Sequence, residues 1–506
     1  MKKSLVLAVI LALLALSCSN SGGGGSKNDG SSTETSSAPV STSSTPTPYA
    51  PTAPETPIGM EKKFWALNLV NYSYYQVTTE LLASNTHCEV WVEKGHGVTA
   101  AKARDIANAY GSGVNSVYQK LLGALGSTYT IDVRGKPVLM NTMDYADYLG
   151  DGNGKVTILL LDIIDGYNGN NGFVVGYFAY LDYFSDPLVS GEFIDRTNER
   201  DMIYMDINPS MNYFSESEYY RTLAHETQHM MNYVTGYLLY SNGKRTEPLM
   251  DLWINEGLSS AAEWIYSGKA RTDRIDWYNT SSTIPRGKNF FSWSNEGDDY
   301  ATVYLFFQWL RKQDSEGIYK KILTSEHYDY KAVTKSYKTG AISWPDLLGT
   351  WLAANYIKHD SNEYGYKGDP DFNAVKARYY DAGYLYPGEG VYSYPSIVDT
   401  NTSAFPNTEN IRRHGLTTEG VSSNIPVGHV LLTFNENSNK NDGPAYGGVM
   451  GVAPRSSETR VSVLSEPSGP YPISAAAALK RNGVTRNAFE IPGKIDLLKY
   501  MDRLSE

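Results

Sequence analysis

One stretch decides the fold of this chain: Tyr219-Tyr-Arg-Thr-Leu-Ala-His225-Glu226-Thr-Gln-His229-Met-Met-Asn-Tyr233. It contains neither Gly nor Pro, so it is compatible with a helix throughout. At about 100° per residue, His225 and His229 lie about 40° apart on one face and one turn from each other. Two imidazoles there can converge on one tetrahedral metal ion, and Glu226 can take a proton from a water on its open side. The pattern therefore predicts a metal site with Glu226 as the catalytic base.

A third ligand is predicted from a second helical stretch: Asp251-Leu-Trp253-Ile-Asn255-Glu256-Gly257-Leu-Ser259-Ser-Ala-Ala-Glu263-Trp-Ile-Tyr266. A carboxylate from an antiparallel return helix completes a His₂Glu site and leaves one position for water and substrate. Glu256 is the favoured ligand, with Glu247 and Asp251 as rivals. Glu247 precedes Pro248, which disfavours helical geometry at Glu247.

These motifs resemble those of the gluzincin metallopeptidases, whose return helix carries Asn-Glu-Gly or Asn-Glu-Ala, as in Asn255-Glu256-Gly257 here. The sequence is most similar to the hyicolysin-like neutral metalloproteases, over Cys88 to about Leu310. The resemblance implies an α+β catalytic domain with a mixed sheet, an active-site helix and a helical second half. It also implies zinc (Zn²⁺) as cofactor, protein or peptide substrates, and endopeptidase action by a Glu226-activated metal-bound water.

The resemblance also implies further site residues. Gluzincins supply a Tyr or His that stabilises the developing oxyanion, and Tyr300 is the candidate here, with Tyr304 as the alternative. Glu263 lies about two helical turns beyond Glu256 and is expected either to accept a hydrogen bond from a ligand histidine or to be a structural acid. The stretch 202–207 is expected to be the edge strand that pairs with the substrate.

The N-terminus reads as an export signal over residues 1–18. Lys2 and Lys3 precede an apolar run that is too short to span a bilayer. The run ends at Ala15-Leu16-Ser17-Cys18, which resembles the lipobox of bacterial lipoproteins and implies lipidation of Cys18. We therefore expect a membrane-anchored lipoprotein that faces the periplasm or the cell surface, with plain secretion as the alternative.

Composition divides the rest of the chain into three parts. Residues 19–58, rich in Ser, Thr, Gly and Pro, are predicted to be a disordered tether. Residues 59–360 form the predicted metallopeptidase domain, and residues 361–506 form an accessory region that is predicted to be β-rich, with strand candidates at 429–434, 447–452 and 459–464. A net charge of −11 argues against nucleic-acid binding.

Within the predicted domain, strands are expected at 65–70, 88–92 and 156–161, and one helix is expected from Ala103 to Leu121, with Thr99 as its N-cap. The turn Asp151-Gly-Asn-Gly raises the possibility of a calcium-binding EF-hand. Lys155 argues against it, because it stands where that loop needs an oxygen ligand.

Two other functions are compatible with parts of this pattern. The first is a catalytically inactive, tethered binding protein or adhesin on a degenerate peptidase fold. The site retains His225, Glu226, His229 and Glu256, which argues against loss of catalytic activity. The second is a zinc amidase that acts on cell-wall peptides. The oligomeric state is not predicted from the sequence.

Overall fold

The computed structural model describes residues 45–71, 73–132, 135–169, 172–184, 196–294, 296–380, 384–393, 410–422, 430–439, 445–446 and 472–473. From Pro46 onward these residues fall in one compact unit. The predicted signal peptide with Cys18, the tether as far as residue 44, and the strand candidates at 447–452 and 459–464 lie outside the described residues. None of the helices in these ranges is long and apolar enough to cross a lipid bilayer.

A mixed sheet forms the first half of the compact unit. Its strands, in spatial order, are Glu61–Asn68, Ser73–Ser84, Cys88–Glu93, Val156–Leu161, Met202–Asp206 and Gly176–Phe178. The first three pair antiparallel, the next two join in parallel, and Gly176–Phe178 closes the order antiparallel to Met202–Asp206. The strands predicted near residues 65, 88, 156 and 202 are thereby confirmed.

Alternating side chains of these strands fill two separate cores. Ile158, Leu160 and Met205 face the helices, and Leu159 and Tyr204 face the opposite side of the sheet. Every residue of Val156–Leu161 and Met202–Asp206 is buried, as expected for parallel strands that are covered on both faces. Helices on the first face are Ala100–Gly111, Val117–Leu125 and Thr142–Leu149.

The prediction of one helix from Ala103 to Leu121 is wrong, because two helices cover this stretch. Thr99 caps the first helix as predicted, since its hydroxyl accepts a hydrogen bond from the backbone of Lys102. The chain then turns, and the hydroxyl of Ser116 caps the second helix. Val114 lies in the turn with 83% of its surface exposed, so its place in the apolar repeat was coincidental.

The second half is mostly helical. Three of its helices recur below: the histidine helix (Glu216–Ser241), the return helix (Leu252–Ser267) and the tyrosine helix (Gly297–Gln313). Shorter helices are Ser210–Tyr213, Thr272–Thr280, Gly317–Leu323, Tyr330–Ser336 and Trp344–Ile357. Strands and helices together confirm the predicted α+β class.

A second, antiparallel sheet lies near the C-terminal end of the described residues, in the order Gly390–Ser393, Val430–Asn435, Ile411–Leu416 and Val421–Ser422. The strand predicted at 429–434 is confirmed as Val430–Asn435. Leu432 and Phe434 belong to the same continuous core as the helices. The domain boundary at residue 361 stays a prediction. Two-residue strands are Thr47–Pro48, Phe173–Val174, Tyr384–Leu385, Ala445–Tyr446 and Pro472–Ile473, and Thr128–Ile131 pairs with Pro137–Asn141.

Candidate metal centre

The histidine helix starts at a well-defined cap. The Ser215 hydroxyl accepts a hydrogen bond from the backbone of Glu218, and the Glu218 carboxylate accepts one from the backbone of Ser215. This capping box fixes where the helix begins. His225 and His229 follow on one face, with ring centroids 4.8 Å apart.

The return helix packs closely against both the histidine helix and the tyrosine helix. Gly257 makes this approach possible, because a Cβ atom there would lie 2.3 Å from the ring of Phe307 on the tyrosine helix. The Gly of the Asn-Glu-Gly motif is therefore a packing requirement. It lets the preceding residue, Glu256, face the two histidines.

Three donor atoms converge between these helices. Oε2 of Glu256 lies 3.3 Å from Nε2 of His225 and 3.7 Å from Nε2 of His229. Ligand atoms around a tetrahedral metal with bonds of 2.0–2.2 Å are about 3.3–3.6 Å apart. Oε2 of Glu256 is buried and has no hydrogen-bond partner among the described residues. The three residues thus fit a metal ion in spacing and in unmet bonding capacity.

The other ring nitrogens of the two histidines are held by oxygen atoms. Nδ1 of His225 lies 2.8 Å from Oε1 of Glu263, and Nδ1 of His229 lies 3.0 Å from Oδ1 of Asn255. The Asn232 side chain donates to the same Asn255 oxygen at 2.6 Å. Both oxygens are acceptors, so each Nδ1 donates to its partner and each Nε2 is the ring atom left to face a metal.

Glu263 is fixed from its other side by Arg271. The Arg271 guanidinium forms an ion pair with Oε2 of Glu263 and also pairs with Asp273. Despite burial, Arg271 and His225 lower the pKa of Glu263 to about 2. Glu263 therefore faces His225 as a charged carboxylate.

The centre carries excess negative charge. Burial raises the pKa of Glu226 to about 8; His225 opposes this shift, and Glu256 and Glu263 add to it. Burial would lower the pKa of His225, but contacts with Glu256 and Glu263 raise it to about 10, so without a metal the carboxylates hold a proton on this ring. Burial lowers the pKa of His229 to about 4, which keeps that ring neutral. A bound cation would replace the proton on His225.

Glu226 lies between the donor atoms and the outer edge of the mixed sheet. The outermost strand is Gly176–Phe178, hereafter the edge strand, and a Cβ atom on Gly176 would lie 3.2 Å from Cγ of Glu226. The prediction that 202–207 is the edge strand is wrong, because Met202–Asp206 is paired on both sides. The edge strand is only three residues long, too short to give a periodic signal in the sequence.

The rival ligands lie outside the cluster of donor atoms. Glu247 is exposed, and Asp251 is the residue before the first turn of the return helix. The groups of metal-spaced donors among the described residues include neither of them. Glu256 alone of the three candidates stands with the two histidines.

The two tyrosine candidates are both buried on the tyrosine helix. The Tyr304 hydroxyl accepts a hydrogen bond from the backbone of Arg271 at 2.8 Å. The guanidinium of Arg274 lies over the ring of Tyr300, 5.0 Å from its centroid, and Arg274 also helps to lower the pKa of Glu256. Arg274 thus links Tyr300 to the surroundings of Glu256. The role of Tyr300 in stabilising the oxyanion stays a prediction.

Two residues of the site were missed by the sequence reasoning. Asn255 holds His229, and its position directly before Glu256 is a signal that could have drawn attention to it. Arg271 holds Glu263 from the loop after the return helix, and no motif marks it.

No protein-family model matches the chain. A curated protein, "Neutral metalloprotease ShpI" of Staphylococcus hyicus, is 27% identical over 331 residues, which cover 63% of this chain and 67% of that protein. The aligned length is far greater than that of a short motif. The chain is thus similar to a protein named as a metalloprotease, and it carries a group of residues that can hold a metal ion.

Proposed function

We propose that the chain is a zinc-dependent endopeptidase of the gluzincin type. One observation carries the proposal: Oε2 of Glu256 lies 3.3 Å from Nε2 of His225 and 3.7 Å from Nε2 of His229, and Glu226 is close enough for the charges of His225 and Glu256 to act on it. Two histidines and one carboxylate form a donor set typical of catalytic zinc. Zinc held there would polarise the substrate carbonyl and lower the pKa of a bound water.

Residues of the chain transfer the proton and orient the metal ligands. Glu226 accepts the proton of the attacking water at its carboxylate and passes it to the leaving amine nitrogen. Burial favours this role, because it raises the pKa of Glu226 and so makes its carboxylate a stronger base. Glu263 and Asn255 hold the two imidazoles in the orientation that presents each Nε2.

The edge strand is the proposed binding element for the substrate backbone. Its three residues pair with Met202–Asp206 on one side, and within the described residues no strand pairs with them on the other. An extended peptide can add to such an edge through main-chain hydrogen bonds. Because a peptide bound in this way runs past the site in both directions, we infer cleavage within chains rather than at their ends.

The experiment compares Glu226→Gln with the wild type for bound zinc and for casein hydrolysis. We expect equal zinc contents and a loss of hydrolysis of about 100-fold or more in the variant, as for removal of a general base. Glu216→Gln is the matched control, since Glu216 is an exposed residue of the same helix whose partner is Lys102. Full activity of Glu226→Gln would refute its role as the base.

We further propose that the chain is exported and lipid-anchored through Cys18. The support is the lipobox-like Ala15-Leu16-Ser17-Cys18 after an apolar run. Growth of the bacterial host with labelled palmitate should label the wild type and not Cys18→Ala. Equal labelling of both proteins would exclude this anchor.

A further inference from the structure

A second group of acidic residues lies away from the histidines. Asp147 is in the last turn of the helix Thr142–Leu149, Asp151 is in the turn after it, and Asp201 directly precedes the strand Met202–Asp206. One carboxylate oxygen from each lies within 4.8 Å of the other two. Two segments that are distant in the sequence, one with Asp147 and Asp151 and one with Asp201, therefore bring acidic side chains to one point.

The strongest indication of a bound ligand is the carboxylate of Asp201. Its exposed fraction is 0%, and neither of its carboxylate oxygens has a hydrogen-bond partner in the part of the chain that the structure describes. A buried carboxylate without a partner costs several kcal/mol, so it is kept only where another group compensates it. The oxygens of Asp147 and Asp151 beside it donate no hydrogen bond to Asp201.

Positive charge from the protein is too small to balance the cluster. Arg200 lies 2.9 Å from Asp151, but it shares its charge with Glu89 at 3.3 Å. Asp147 accepts hydrogen bonds from the Tyr49 hydroxyl and from the backbone of Gly154, which are neutral donors. The charge of Lys62 also acts on Asp151, but more weakly than that of Arg200. Three carboxylates beside one shared guanidinium therefore leave net negative charge, which a divalent cation would neutralise.

The donor set favours calcium over magnesium. All three donors are carboxylate oxygens, which calcium takes in a flexible sphere of six to eight ligands, whereas magnesium demands near-ideal octahedral geometry and is usually held by one or two carboxylates. The three oxygens lie within 4.8 Å of one another, so they can share one such sphere. Asp151 is half-buried, so its side of the cluster offers an entry path from solvent.

We infer that Asp147, Asp151 and Asp201 form a calcium site, separate from the candidate zinc centre. The site is not an EF-hand, because its ligands come from a helix end, a turn and the start of a strand. Lys155 does not obstruct it, since its ammonium group lies 2.9 Å from the Ser84 hydroxyl. Lys155 is incompatible with an EF-hand loop but compatible with this arrangement of the same turn.

The site would fix the inner part of the mixed sheet. The carbonyl of Asp201 accepts a hydrogen bond from the backbone of Thr157 at 2.9 Å, at the start of the parallel pairing with Val156–Leu161. The strand that follows Asp201 carries the edge strand on its other side. Calcium would thus clamp the turn after Asp147 to the strand that supports the edge strand.

The test is a calorimetric titration of calcium chloride into the zinc-loaded full chain in chelator-treated buffer. Wild type should bind one calcium ion, and about 100-fold excess over Kd should raise Tm by at least about 3 °C. Asp201→Asn, which is isosteric, should bind calcium at least about 10-fold more weakly and lose the rise in Tm, with unchanged zinc content. Asp105→Asn, an exposed aspartate on the helix Ala100–Gly111, is the control and should behave as wild type.

Three results would overturn the proposal. They are no calcium binding by wild type up to about 10 mM, which is about tenfold above the weakest extracellular sites, unchanged binding in Asp201→Asn, or magnesium binding as tight as that of calcium. If Asp201→Asn does not fold, Asp151→Asn at the half-buried ligand replaces it, with the same expected loss. Zinc content is measured on every sample, so failure of the zinc centre is seen separately.

Discussion

Glu263→Gln separates a carboxylate that orients His225 from one that only fills space. Glu263 uses both oxygens: Oε1 faces Nδ1 of His225 at 2.8 Å, and Oε2 pairs with Arg271. Glutamine has the same shape but offers one acceptor and one donor. With its oxygen toward His225, its NH₂ group faces the guanidinium, and two donors meet. With its NH₂ group toward His225, the ring must carry its proton on Nε2, the atom that would bind zinc.

Either orientation weakens the metal site. Loss of a partner that orients a histidine ligand typically reduces metal affinity by about 10–100-fold. That factor corresponds to about 1.4–2.7 kcal/mol of zinc-binding free energy. We expect the zinc Kd of Glu263→Gln to rise within this range.

The assay is competition for zinc between the apo-protein and a chromophoric chelator of known affinity. Asp273→Asn is the matched control, because Asp273 is the other carboxylate partner of Arg271 and its side chain is 51% exposed. This variant should keep the zinc Kd of wild type within about twofold, since its contact lies at the surface. A Glu263→Gln protein with the wild-type Kd would refute the orienting role. Equal weakening in Asp273→Asn would assign the effect to the charge of Arg271 instead.

Three further predictions follow from the same geometry. Gly257→Ala should lower the free energy of unfolding by about 1–3 kcal/mol in urea titrations, because the new methyl group overlaps the ring of Phe307; unchanged stability would contradict the close packing. Glu256→Ala should release zinc on dialysis while Glu247→Ala retains it, and metal analysis that shows the reverse would move the third ligand. Burial raises the pKa of Asp182 from 3.8 to about 7, so the folded state holds the extra proton and this stabilisation is lost as pH rises through 7. Asp182→Asn should therefore lose less stability than wild type between pH 5.5 and 7.5, and equal slopes in urea titrations would refute the shift.

The candidate metal ligands could be predicted because their signal is local. His225 and His229 are one helical turn apart, so a single helix fixes their relation before any tertiary contact is known. Glu256 lies in its own short motif. The roles of its neighbours, Asn255 as the partner of His229 and Gly257 as a contact point between helices, cannot be derived from the sequence. Gly257 is explained only by the approach of a third helix.

The features that the sequence missed depend on contacts between distant segments. Arg271 reaches Glu263 from a loop that no motif marks, and Asp201 meets Asp147 only because two parallel strands start at the same end of the sheet. The prediction of one continuous helix across the turn before Val117 failed for a different reason. Apolar residues continue at helical spacing across this turn, and they masked Ser116 as the N-cap that starts the second helix.

The most direct test of the account is anomalous X-ray diffraction at the zinc absorption edge from crystals of the purified chain. The account predicts one strong peak bonded to Nε2 of His225, Nε2 of His229 and Oε2 of Glu256, at about 2.0–2.2 Å from each. No zinc peak at these three atoms, or a peak coordinated by a different carboxylate, would contradict it.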